Sequence, residues 1–189
     1  EGAPVLISAG DVGGQRTGGE LSMTAGSGAV GGEVILRSGD GSLGSGGAVT
    51  IEAGEGSGTS GGGIVTIDGG HSSTGISPGG SVAISGGEGA SSSDGGRVAV
   101  QGGFSSTGDG GELELLGGES ERGDSGSVTL ASMEAKSVAK SGSVAINSGA
   151  TAAGPSGSVL VSSGDSKSDE AGDVTVAAGS SGDKYQGGS

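Results

Sequence analysis

A short apolar pattern recurs along the whole chain at an almost constant spacing. The repeating unit reads Gly-x-Val-x-Ile-x-small-Gly, as in residues 47–54, and each copy carries an apolar triplet whose first residue is Val or Leu. Twelve copies follow one another, 13 to 17 residues apart. A repeat of this length predicts one supersecondary unit per copy and stacking of neighbouring copies. The triplets begin at Val5, Leu21, Val34, Val49, Val65, Val82, Val98, Leu113, Val128, Val144, Val159 and Val174.

Within each copy the apolar residues alternate with polar or small ones. The first and third triplet positions, called slots below, hold 23 of the 34 Leu, Ile, Val and Phe residues, and the fifth residue is always Ala, Ser or Gly. Period-two alternation of β-branched residues predicts a strand with one buried face. The predicted structural core is Val34, Leu36, Val49, Ile51, Val65, Ile67, Val82, Ile84, Val98, Val100, Leu113, Leu115, Val128, Leu130, Val144, Ile146, Val159, Val161, Val174 and Val176.

Two further positions recur in register with the triplets. A glycine two residues before the first slot, here called the corner glycine, predicts a corner that needs a positive φ or a close backbone approach. The corner glycines of the central array are Gly32, Gly47, Gly63, Gly80, Gly96, Gly111, Gly126, Gly142, Gly157 and Gly172. Leu43, Ile76 and Val138 each lie six residues before a triplet, which predicts a second inward slot on a return segment.

Composition alone argues against a folded chain, and the repeat argues for one. Gly accounts for 50 of 189 residues, and the net charge is −14, which is typical of disorder. Random low-complexity sequence would not sort its few apolar residues into one register, however, and Gly and Ser at this density disfavour helix. We therefore predict an all-β fold: a single-stack β-solenoid, parallel β-helix-like, with about 12 rungs of 15–16 residues and Gly-rich corners. An antiparallel meander is disfavoured because odd and even copies do not differ.

Charge and residue content exclude several functional classes. Only eight Lys and Arg residues stand against 22 Asp and Glu, which disfavours nucleic acid as a partner. No apolar stretch is long enough for a membrane span, and the absence of Cys rules out disulfides and thiolate metal sites. No nucleophile, acid–base or phosphate-binding motif accompanies the single histidine, His71. We expect no enzymatic activity, no catalytic residue and no cofactor.

Two binding functions remain as alternatives. Acidic residues recur about once per copy, and stacked carboxylates on a solenoid can bind Ca²⁺, as in the Gly/Asp-rich arrays of secreted toxins, which this chain resembles in composition. Outward Thr residues such as Thr50, Thr66 and Thr129 resemble those of insect antifreeze solenoids, although Thr-x-Thr does not occur. A Ca-dependent or glycan-binding adhesin stalk and an ice-binding solenoid are therefore the alternative functions.

The sequence favours a structural function. We expect residues 1–189 to form one continuous repeat array, a segment of a longer protein or filament, in the rigid shaft of an extracellular fibre or cell-surface appendage. Its expected partners are copies of itself end to end, or other fibre subunits.

Overall fold

The computed structural model describes residues 2–14, 16–73 and 76–181 and is low in regular secondary structure. Within these ranges no residue belongs to a helix or a strand, and the backbone passes through turns, bends and irregular segments. The predicted β-solenoid is therefore wrong, because a solenoid requires a ladder of hydrogen-bonded strands from one rung to the next. No such ladder is present in the described ranges.

The predicted core is not formed either. The chain exposes 18707 Å² of surface, compared with about 7,800 Å² for a folded protein and about 25,000 Å² for an extended chain of this mass. None of the described residues is buried, and the positions from Val34 to Val176 predicted as core all remain partly exposed. Each copy supplies two aliphatic side chains for burial, whereas about fifteen residues, many of them Gly, must be ordered to stack it. The ordering cost therefore outweighs burial in a single chain.

The alternation predicted from the sequence persists as a difference in exposure. From Leu21 to Val174 the first-slot side chains are 48–60% exposed, and from Ile7 to Val161 the third-slot side chains are 63–73% exposed. Most aliphatic side chains outside the slots are above 80%, and Leu43, Ile76 and Val138 are fully exposed. The prediction of a second inward slot at those three positions is therefore wrong.

The chain divides into two units, Glu1–Val98 and Ala99–Ser189. The division falls inside the seventh triplet, between its first and middle residues, so the repeat itself runs through both units. That residues 1–189 form one continuous array stays a prediction. In the described part of the chain, no helix has the length and apolar character needed to cross a bilayer.

Candidate functional site

Backbone hydrogen bonds between glycines close most of the segments that connect one triplet to the next. The N–H of the corner glycine donates to the carbonyl of the glycine five residues after the start of the preceding triplet, which is the sixth position of that copy, at 2.7–2.9 Å between N and O. We call these segments the closed linkers. They are 10–19, 26–32, 39–47, 54–63, 70–80, 87–96, 103–111 and 118–126.

Three later segments lack this bond and are called the open linkers. They are 133–142, 149–157 and 164–172, and none of their corner glycines donates to a backbone carbonyl in the described structure. Linker length does not separate the two groups, since 164–172 has the same length as 103–111. A Gly acceptor does not separate them either, because Gly149 and Gly164 occupy that position in open linkers.

The residues beside the glycine pair do separate the two groups. Every closed linker has Gly at the fifth residue of the preceding copy, at the residue just before the corner glycine, or at both. Every open linker has a side chain at both positions: Ser132 with Ser141, Ser148 with Ser156, and Ser163 with Ala171. The backbones of the acceptor glycine and the corner glycine therefore approach each other only where at least one of these two positions lacks a Cβ.

The closeness of that approach explains the corner glycines. A Cβ placed on Gly111 would lie 2.7 Å from the backbone nitrogen of Gly103, nearer than Cβ atoms come to other atoms in real proteins. In the open linker that ends at Gly172, the nearest atom is the Cβ of Ser163, at 3.9 Å. Gly14, Gly58 and Gly154 are the described glycines with positive φ, and none of them is a corner glycine. Close approach, rather than positive φ, is thus the structural reason for glycine at Gly80, Gly96, Gly111 and Gly126, where a Cβ would lie 2.7–2.9 Å from the backbone.

The slots of the first and last copies differ in exposure from those of the other copies. First-slot Val5 in the first copy is 88% exposed, although first-slot Val174 in the last copy is 51% exposed. Third-slot Val176 in the last copy is 92% exposed, although third-slot Ile7 in the first is 69% exposed. The first slot is thus most exposed in the first copy, and the third slot is most exposed in the last copy.

Turns within the linkers use two kinds of hydrogen bond. In the N-terminal unit, the Ser60 N–H donates to the carbonyl of Ser57, and the Ser93 N–H donates to that of Ala90. In the C-terminal unit, a Ser Oγ accepts from the N–H three residues later, as Ser105 does from Gly108 and Ser120 does from Gly123. These serines lie seven residues after the start of their triplets, as does Ser166, which accepts from the Asp169 N–H. Side-chain acceptors of this kind stabilise turns locally.

The charged side chains lie in solvent. Arg37 donates from one guanidinium nitrogen to both carboxylate oxygens of Asp40, at 3.0 and 2.8 Å, and both side chains are exposed. An exposed pair of this kind contributes about 0–1 kcal/mol and weakens with salt. The other acidic side chains that prompted the Ca²⁺ alternative are spread through exposed linkers. In the described ranges no three His, Cys, Asp or Glu residues are close enough together to hold a metal ion.

In the described part of the chain, no set of catalytic side chains surrounds the single histidine. His71 is exposed in linker 70–80. The described part of the chain contains no cavity. What the structure places together in every copy is instead a partly covered apolar triplet between two linkers, which is a repeated surface.

The closing hydrogen bonds were not predicted from the sequence. The signal was available, because Gly stands at the sixth position in eleven of the twelve copies and at the corner position in eleven. Two recurring glycines that flank a polar segment of variable length indicate a backbone contact at its base. Comparison of the chain with family models, curated proteins and solved structures finds no match.

Proposed function

We propose that this chain is a non-enzymatic structural repeat module of an extracellular fibre or cell-surface appendage. The observation that supports the proposal is that the triplets of all twelve copies leave an apolar surface partly exposed. A catalytic protein concentrates its chemistry at one place, whereas this chain repeats one surface along its length. Proteins rarely retain a large apolar surface in solvent unless it serves association.

The charge of the chain supports the same function. A net charge of −14 keeps separate chains soluble and apart at low ionic strength. Apolar triplets supply short-range attraction, and the acidic linkers supply a longer-range repulsion that salt weakens. This combination suits a subunit that assembles only where concentration and ionic strength permit.

Native material tests the proposal. An antibody raised against the full chain is applied to intact and to permeabilised source cells, followed by negative-stain electron microscopy of the labelled material. We expect labelling of intact cells and gold particles along elongated structures. Label that appears only after permeabilisation, or on no elongated structure, would contradict the proposed function.

A further inference from the structure

Among the described residues, the backbone of the triplets makes no hydrogen bond. All backbone–backbone hydrogen bonds of the described residues lie at linker bases or in turns, and the side-chain hydrogen bonds of these residues do not involve the triplets. The N–H and C=O groups of a segment such as 49–51 therefore face solvent beside apolar side chains. This is the condition of an unpaired edge strand, which binds other extended chains through main-chain hydrogen bonds.

The triplets together expose enough apolar surface for a stable interface. Full burial of an aliphatic side chain at about 1.5–3 kcal/mol corresponds to about 60–120 Å² of apolar surface. With roughly six-tenths of each slot side chain exposed, the 24 slots retain on the order of 900–1,700 Å². A standard protein interface buries about 800 Å² on each partner. The exposed triplets therefore reach the required area only if many of them dock on the same partner.

The irregular spacing of the triplets selects that partner. Successive triplets are separated by 16, 13, 15, 16, 17, 16, 15, 15, 16, 15 and 15 residues. A partner that contacts many triplets at once must carry docking segments at the same spacings. Another copy of this chain, aligned in parallel and in register, has these spacings without any mismatch. Once one triplet has docked, its neighbours lie opposite their counterparts, so the later contacts form at high effective concentration.

We infer that the apolar triplets form the docking surface for a second copy of this chain, paired in parallel and in register as intermolecular β-structure. This inference rests on the proposed structural function and names the partner of its surface. In-register pairing places each acidic residue opposite its own counterpart, so like charges oppose one another along the interface. Association is therefore expected to strengthen as salt shortens the screening length.

A set of substitutions in the full chain tests the surface. The variant V49T/V65T/V82T/V98T removes apolar area from four first slots while retaining the shape and strand propensity of the side chains. Its control, A48T/A83T/A99T/A145T, introduces the same residue at three middle positions and at Ala48, directly before a triplet. The concentration at which sedimentation velocity and the infrared amide I band report association is measured in about 0.05 and about 0.5 M NaCl.

We expect the parent chain and the control to associate at similar concentrations, and at lower ones in the higher salt. The Val-to-Thr variant should need a concentration at least about ten-fold higher. Equal association of the variant and its control would overturn the docking surface and leave the proposed function standing. A parent chain that stays monomeric at every concentration and salt would also overturn the inference, and the native-material experiment then judges the function separately.

A single cysteine tests the register, since the chain has none of its own. Parallel in-register strands place identical residues about 4.8 Å apart, so Ala83→Cys chains should form disulfide dimers rapidly once assembled. A mixture of Ala48→Cys and Ala145→Cys chains should yield homodimers of each and few heterodimers. Absence of Ala83→Cys dimers in assembled material, or heterodimers in equal proportion, would overturn the in-register arrangement.

Discussion

Linkers 103–111 and 164–172 have the same length and the same glycine at the acceptor and corner positions, yet only the first is closed by a hydrogen bond. The difference lies beside the glycine pair. Gly102 and Gly110 stand beside the glycine pair of the closed linker, whereas Ser163 and Ala171 stand beside that of the open one. A repeat can thus conserve its glycine pair and still lose the contact when side chains crowd both flanking positions.

Linker 118–126 is closed although glycine occupies only one of its two flanking positions. Ser125 precedes its corner glycine, as serine does in two open linkers, but Gly117 stands at the fifth position and the linker is closed. A Cβ on Gly117 would overlap the carbonyl oxygen of Gly126. One flanking glycine therefore keeps this linker closed, and it is the residue whose replacement has the largest predicted effect.

Gly117→Ser should open linker 118–126. The new side chain would overlap the Gly126 carbonyl, so the backbones must separate and the Gly126 N–H loses its acceptor. Because a hydrogen bond contributes about 0.5–1.5 kcal/mol net, amide exchange at Gly126 should accelerate by about 2- to 10-fold relative to the parent chain. Hydrogen–deuterium exchange followed by NMR measures this directly.

The matched control is Gly110→Ser, which introduces the same side chain just before the corner glycine of linker 103–111. A Cβ on Gly110 would make only an ordinary contact, 3.7 Å from the Gly103 carbonyl oxygen, and Gly102 remains unsubstituted. Exchange at Gly111 should stay unchanged. Acceleration of equal size at Gly111 and Gly126 would show that flanking glycines act singly and independently, contrary to the comparison.

The sequence shows where the apolar side chains recur along the chain, but the stacking of copies into rungs that it predicted is wrong. Val49 and Ile51 are 49% and 67% exposed, whereas the middle residues Leu6 and Leu160 are 89% and 85% exposed, because alternation is a local property of the backbone. Stacking into rungs depends on a balance between burial and ordering entropy, which no single repeat reveals. Glycines close linkers over six to ten residues, and such local contacts cost less loop entropy than pairing between rungs.

The sequence identified the residues of the candidate surface but predicted the wrong environment for them. The first and third slots were predicted to face a core, and the structure leaves them partly in solvent, so the same residues become a candidate docking surface. Burial of a repeated face by another chain leaves the same pattern in the sequence as burial within one chain. The pattern at Val65 and Ile67 therefore could not distinguish the two cases.

Ala171→Gly should close linker 164–172, which would sharpen the comparison by a gain of contact. Removal of one Cβ restores the flanking glycine that every closed linker has, so the Gly172 N–H should reach the Gly164 carbonyl. Glycine also raises the entropy of the open state, so we expect exchange at Gly172 to slow by only about two-fold. Ser168→Gly, which adds a glycine within the same linker but away from its base, should leave Gly172 unchanged, and equal slowing in both variants would refute the flanking rule.

Ser120→Ala should have a smaller and more local effect. The Ser120 Oγ accepts from the Gly123 N–H at 2.9 Å within linker 118–126. Loss of that acceptor in an exposed turn should accelerate exchange at Gly123 by about two-fold. Exchange at Gly126, at the base of the linker, should not change, because the flanking glycine and not the turn controls closure. Faster exchange at Gly126 would show that the turn contributes to closure.

Arg37→Gln should have the smallest effect. Arg37 pairs with Asp40 at the start of closed linker 39–47, so the ion pair could in principle help to hold Gly47 against Gly39. Both side chains are exposed, however, and such pairs contribute about 0–1 kcal/mol before screening. Because the linker retains Gly46 beside its corner glycine, we expect exchange at Gly47 to match the parent within about 1.5-fold at low salt. A larger acceleration that disappears in about 0.5 M NaCl would instead show that charge pairing contributes to closure.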